Sequence, residues 1–140
     1  MDRRVIEQKL ESLRYCVARV RDRCPADVDV LKGDPDAQDI VVLNLSRAVQ
    51  QCVDIAAHVI AESELQPPET MGQTFDRLAE GGFIDTALAD RLKRSVGFRN
   101  VAVHNYQAID WAIVHAISRH YLDDFRAFAK AVSGMPRDES

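Results

Sequence analysis

The chain lacks the usual devices for handling nucleotides, peptides or metals. It has no Walker pattern, no G-x-G-x-x-G turn, no serine nucleophile elbow and no H-E-x-x-H pair, which excludes those routes to phosphate binding, acyl transfer and zinc hydrolysis. Cysteine is scarce: Cys16, Cys24 and Cys52 are odd in number and lack C-x-x-C spacing. That argues against a disulfide framework or a zinc knuckle, and the three are expected to be reduced packing residues. Long apolar runs are missing too. The stretch MDRRVIEQKLESLR alternates charged with apolar residues, unlike a signal peptide, and no run approaches the roughly 18 to 20 apolar residues that span a bilayer. A cytoplasmic protein without a membrane anchor is expected.

What is present is a globular composition, 46% apolar and 29% charged over 140 residues, enough for one core without covalent help. The net charge of -4 speaks against bulk coating of nucleic acid, and no DNA partner is expected. Its distribution is uneven. Residues 1–24 carry seven basic against four acidic groups, 25–69 carry two against nine, and 90–104 return to four against one. A local anion site is therefore allowed around 90–104. The acidic stretch is either a docking surface or a solvated loop and helix face.

Apolar residues recur at helical spacing, and nothing alternates with period two. Ile6, Leu10, Leu13, Val17 and Val20 form one stripe, predicting a helix over 3–23 that Cys24-Pro25 ends. The loop that follows contains VDVL, which could make a turn of its own. A long helix over 38–64, capped by Asp36 or Asp39, carries Val42, Leu45, Val49, Cys52, Ala56, Val59 and Ile60. A short helix is predicted over 70–80, with Met71, Phe75 and Leu78 on one face. From Asp85 another helix carries Leu88, Leu92 and Val96, with Gly97 marking a bend or a close helix contact. Asp110 is expected to cap a last long helix bearing Val114, Ile117, Tyr121, Leu122, Phe125, Phe128 and Val132, with Trp111 as a packing anchor. The expected fold is all-α: four long helices plus one short one in an up-down bundle. One domain is expected over 1–140, with 134–140 a short polar tail.

The fourth of these segments ends in RNVAVHNY, residues 99–106. At about 100° per residue, Asn100 and His104 share a face while Arg99 and His104 lie about 140° apart. A bend at Gly97, or a second copy of the chain across a two-fold axis, would bring Arg99 and His104 together. Arginine holds a phosphate bidentately, and histidine exchanges a proton near neutral pH. The pair suits cleavage of a phosphodiester by its neighbouring 2'-hydroxyl, which restricts the substrate to RNA. One histidine would have to act as both base and acid, a difficulty that two copies of His104 remove. Spacing alone is equally met by a solvated face or a C-terminal cap.

The order Arg99-x4-His104-x-Tyr106, with GFRN before it, resembles the R-x4-6-H signature of HEPN-domain ribonucleases. More narrowly, it resembles the R-x4-H-x-Y form of HepT toxins paired with MntA-type minimal nucleotidyltransferase antitoxins. LNLSRAVQQCVDIAAHVIAE, MGQTFDRLAEGGFID and the closing YLDDF extend the likeness over nearly the whole chain. The resemblance implies a homodimeric endoribonuclease toxin of a type VII-like toxin-antitoxin system, acting without a metal ion or other cofactor. It implies that Arg99 binds and polarises the scissile phosphate, His104 is the general acid or base, and Asn100 orients His104 or the phosphate. Tyr106 would accept AMP from the antitoxin, and an adenylyl group two residues from His104 would fill the cleft and repel RNA. The rival expectation is a non-catalytic HEPN-like dimer that binds nucleotide or presents substrate to a nucleotidyltransferase.

Two further groupings stand apart. Asp54, His58 and Glu62 recur at steps of four and could face a divalent metal, although a polar strip explains them better. His120 and Asp124 share a helical face and read as a surface pair or part of a cleft rim, whereas His115, five positions before His120, does not share it.

Overall fold

The computed structural model describes residues 3–134. Among these the fold is helical throughout. The elements are α1 (Arg3–Arg23), α2 (Val28–Gly33), α3 (Pro35–Ala61), α4 (Met71–Glu80), α5 (Thr86–His104), α6 (Trp111–His120) and α7 (Asp123–Ser133). A single 3-10 turn, Tyr106–Ala108, joins α5 to α6. All but Gly134 of the expected polar tail lies outside the described residues.

The predicted stripes make one continuous core. Ile6, Leu10, Leu13, Val17 and Val20 of α1 are buried, and α1 packs chiefly along α3, whose whole predicted stripe is buried as well. Phe75 and Leu78 of α4 join them, with the Phe75 ring edge-on to Phe128 of α7 at 6.0 Å. α3 is long and apolar enough to cross a bilayer by length and composition, with a mean hydropathy of 1.2 in its most apolar window, yet 56% of that window is buried inside the protein. It is the central helix of this core.

The start of α3 and the course of the last helix differ from what the sequence suggested, while the turn it allowed at VDVL forms. VDVL does fold on its own, as α2, because Asp27 caps it by accepting from the Asp29 N–H at 2.8 Å. Asp34 then closes α2 and opens α3, accepting from the N–H groups of Asp36 and Ala37 with Pro35 in the first turn, a position where proline's missing donor costs nothing. Neither Asp36 nor Asp39 is the cap, so Asp39 sits inside the helix with its side chain free for other work.

The last predicted helix is broken. Ile117 O accepts from the Tyr121 N–H at the end of α6, and α7 restarts at Asp123. The break shifts the helical phase, so Leu122 turns inward while Tyr121, predicted to be core, is 49% exposed. No glycine or proline marks the place. The signal is electrostatic: Arg119 and His120 occupy the last turn of α6, and Asp123 and Asp124 the first turn of α7, each sign at the helix end that favours it.

Candidate active site

α5 carries the site. Asp85 caps it by accepting from the Leu88 N–H at 2.7 Å, and Leu88, Leu92 and Val96 bury one face. The helix runs unbroken through Gly97 to His104, and a Cβ at Gly97 would meet nothing within 4 Å. The expected close contact is therefore absent, and no break there turns Arg99 toward His104. Asn105 ends the helix, its N–H bonded to Val101 O at 2.8 Å.

The four motif residues emerge at this end. Arg99 is half-buried, its Nη1 3.9 Å from Met71 Sδ of α4 and 3.3 Å from Asn100 Oδ1. Asn100 and His104 are exposed, and the His104 ring has no hydrogen-bond or ion-pair partner among the described residues. Of the four cations in the local basic stretch, Arg91 is committed to Asp124 at 2.9 Å and Lys93 to Asp76 at 3.0 Å. Among the described residues, Arg94 and Arg99 are left without a carboxylate. Arg99 thus meets only neutral groups, which keeps its full charge available to an anion.

Tyr106 follows in the 3-10 turn. Its hydroxyl donates to Asp39 Oδ1 of α3 at 2.6 Å, and its ring lies edge-on to Trp111 at 6.0 Å. Partial burial, with the hydrogen bond to Asp39 and that carboxylate's charge, pushes the phenol up to about 12. Asp39 is the residue that sequence reasoning missed at this site. It was read as a cap candidate, and no local pattern announces a contact across 67 positions.

The remaining candidates are placed elsewhere. Asp54 accepts from Gln50 at 2.8 Å and pairs with Lys9 at 3.4 Å, and no three His, Cys, Asp or Glu side chains converge on a possible metal among the described residues. The expected His120–Asp124 pair does not form, because the break at Tyr121 separates their helices and Asp124 takes Arg91 instead. His115 is structural: its Nε2 lies 3.0 Å from Pro25 O and 3.1 Å from Ala26 O. With two carbonyls facing it, that nitrogen carries the proton, and it ties the corner after α1 to α6.

Residues 13–132 match the family described as ribonuclease HepT-like. The chain belongs to this family. It is 35% identical over 128 residues to the mRNA nuclease HepT of Shewanella oneidensis, spanning 91% of this chain and 96% of that protein. In solved structures it is similar to the tri-AMPylated Shewanella oneidensis HEPN toxin in complex with an MNT antitoxin, at TM-score 0.88 and 34% identity over 96% of this chain and all of that one. It is equally similar, at TM-score 0.88 and 34% identity, to a toxin–antitoxin chain crystallised with AMP-PNP, covering 94% of this chain and 98% of that one. The all-α bundle of this HepT-like chain is thus shared with these relatives.

Proposed function

We propose that this chain is a metal-independent endoribonuclease, the toxin of a type VII-like prokaryotic toxin-antitoxin pair. AMP transfer to Tyr106 by an MntA-type nucleotidyltransferase silences it. The observation that carries this reading is the succession of Arg99, Asn100, His104 and Tyr106 along the last turns of α5 and the 3-10 turn after it, in a chain 35% identical to a named mRNA nuclease.

In the reaction, the 2'-oxygen of one ribose attacks the adjacent phosphorus, and the bond from phosphorus to the 5'-oxygen of the next nucleotide breaks. The products are a 2',3'-cyclic phosphate and a 5'-hydroxyl. Arg99 holds the non-bridging oxygens, where negative charge accumulates. Asn100 steadies the Arg99 fork through its 3.3 Å contact. His104 takes the 2'-proton or protonates the leaving oxygen. Attack and departure occur on opposite sides of the phosphorus, so one imidazole cannot serve both at once. A homodimer contributes two.

A dimer seated beside the motif would cover Val101 and Val103, which are 40% and 55% exposed. AMP on Tyr106 adds bulk and negative charge beside His104 and so opposes an RNA phosphate.

The test is cleavage of total RNA with EDTA present, by wild type and by Arg99→Ala and His104→Ala. Both variants should lose cleavage, by about 10²- to 10⁴-fold for His104→Ala, while the dimer persists. Wild-type products should carry 2',3'-cyclic phosphates. If unmodified wild type binds ATP or AMP tightly and leaves RNA intact, the chain is instead a nucleotide-binding subunit.

A further inference from the structure

The hydroxyl of Tyr106 is held by a group that the ribonuclease reaction does not use. Asp39 stands on the fifth residue of α3, a 27-residue helix whose other face is core. Capping duty there falls to Asp34, and the terminal carbonyls of α2 are taken by Gln38 Nε2 at 2.9 and 3.1 Å. One helix therefore presents one carboxylate oxygen with no other partner to one phenol, whose ring also packs against Trp111 at an interplanar angle of 67°. This is the geometry of a nucleophile and its base, within hydrogen-bond reach and each on a defined element.

We propose that Asp39 is the general base of AMP transfer to Tyr106, built into the acceptor chain rather than supplied by the transferase. This rests on reading Tyr106 as the AMP acceptor. As Tyr106 Oη attacks the α-phosphorus of a nucleoside triphosphate, the Oη–P bond forms and the bond from phosphorus to the pyrophosphate oxygen breaks. The phenolic proton passes to Asp39 Oδ1 and from there to solvent. The nucleotidyltransferase brings the triphosphate.

The alternative route, attack by a free tyrosinate, is poor here. With the phenol pushed up to about 12, tyrosinate at neutral pH is about a hundredfold scarcer than for an ordinary tyrosine. Removing the proton during attack avoids that penalty. Once Oη is esterified it has no proton to donate, so the tie to Asp39 is lost, and carboxylate and phosphodiester repel each other.

The experiment needs no transferase. The full chain is incubated with adenosine 5'-phosphorimidazolide, a preactivated AMP donor, and labelling is followed by intact mass and by peptide mapping. Circular dichroism confirms that each variant is folded. Wild type should label at Tyr106, and Tyr106→Phe should not label there. Asp39→Asn keeps an acceptor oxygen but is no base, and should label about 100-fold more slowly. Asp39→Ala should be equally slow, and added formate, a carboxylate small enough to occupy the vacated space, should restore its rate with concentration. Equal labelling of wild type and Asp39→Asn overturns the base assignment and leaves Tyr106 as an acceptor. A loss in Asp39→Ala that formate does not restore makes Asp39 a structural tether and also overturns it. Label that falls elsewhere, unchanged by Tyr106→Phe, removes both the base and the acceptor.

Discussion

Replacing Tyr106 by phenylalanine deletes one oxygen and leaves the ring against Trp111, so it isolates the bond to Asp39. A hydrogen bond to a charged group nets about 1.5–3 kcal/mol when sheltered. Here Tyr106 is 41% exposed and Asp39 is exposed too, so solvent screening reduces the expected loss to about 1 kcal/mol. For a chain of this length that corresponds to about 3 °C in Tm. The pH dependence has a definite sign. The folded phenol is raised to about 12 from an ordinary value of 10, so the bond's contribution is fully present below about pH 10 and is lost as pH rises through about 12. The gap between wild type and Tyr106→Phe should hold steady from neutral pH upward and close in that alkaline window. Thermal melts of wild type, Tyr106→Phe, Asp39→Ala and the double variant measure the coupling directly, with about 1 kcal/mol expected. A coupling within about 0.3 kcal/mol of zero would falsify the contact as a feature of the protein in solution.

Other consequences are accessible to simple assays. Phe75→Ala removes a fully buried ring and its edge contact with Phe128. It should cost about 3–5 kcal/mol by denaturant midpoint, and a loss under about 1 kcal/mol would mean that α4 is not docked on α7 as described. Arg91→Gln breaks the 2.9 Å tie from α5 to Asp124. Since Arg91 is partly exposed, the loss should be about 0.5–1 kcal/mol and shrink in high salt, whereas a salt-independent loss would point to packing instead. All three cysteines are buried, and burial pushes each thiol up, Cys52 furthest. A thiol-reactive dye should therefore count none rapidly in the native protein and three after denaturation, and a fast-reacting thiol would contradict this packing. Finally, His104→Ala should leave stability within about 0.5 kcal/mol of wild type, because the ring is exposed and has no partner among the described residues. A large destabilisation would assign His104 to structure rather than chemistry.

The legible parts of the fold are those written locally. The stripe from Ile6 to Val20 and the stripe along α3 could be read because burial and helical period coincide over several turns. Asp85 and Asp110 announced the starts of α5 and α6, and each does accept from its own first turn. The break at Tyr121 escaped because the apolar series is consistent with an unbroken helix, and only the switch from Arg119-His120 to Asp123-Asp124 signals two helix ends. Asp34 was passed over as a cap because Asp36 and Asp39 are chemically equivalent candidates nearby, and Pro35 is the feature that separates them. For the candidate site, RNVAVHNY supplied four residues from one segment. The fifth, Asp39, arrives through tertiary packing, which no periodicity encodes.

The position of the motif at a helix C-terminus also constrains how an RNA phosphate would be held there. A helix N-terminus offers unpaired N–H groups and the positive end of the dipole to an anion. The end of α5 offers carbonyls and the negative end. An RNA phosphate bound there would therefore depend on side-chain cations, and ion pairing distinguishes which of them are free. Asp124 and Asp76 neutralise Arg91 and Lys93, making them ties between helices. Arg99 is steadied by a thioether and an amide oxygen, contacts that orient its planar fork without cancelling its charge. That division explains why four cations within fifteen residues need not give four phosphate contacts. It also explains why a lysine at position 99 would not be equivalent, since its single ammonium cannot span Met71, Asn100 and two phosphate oxygens together.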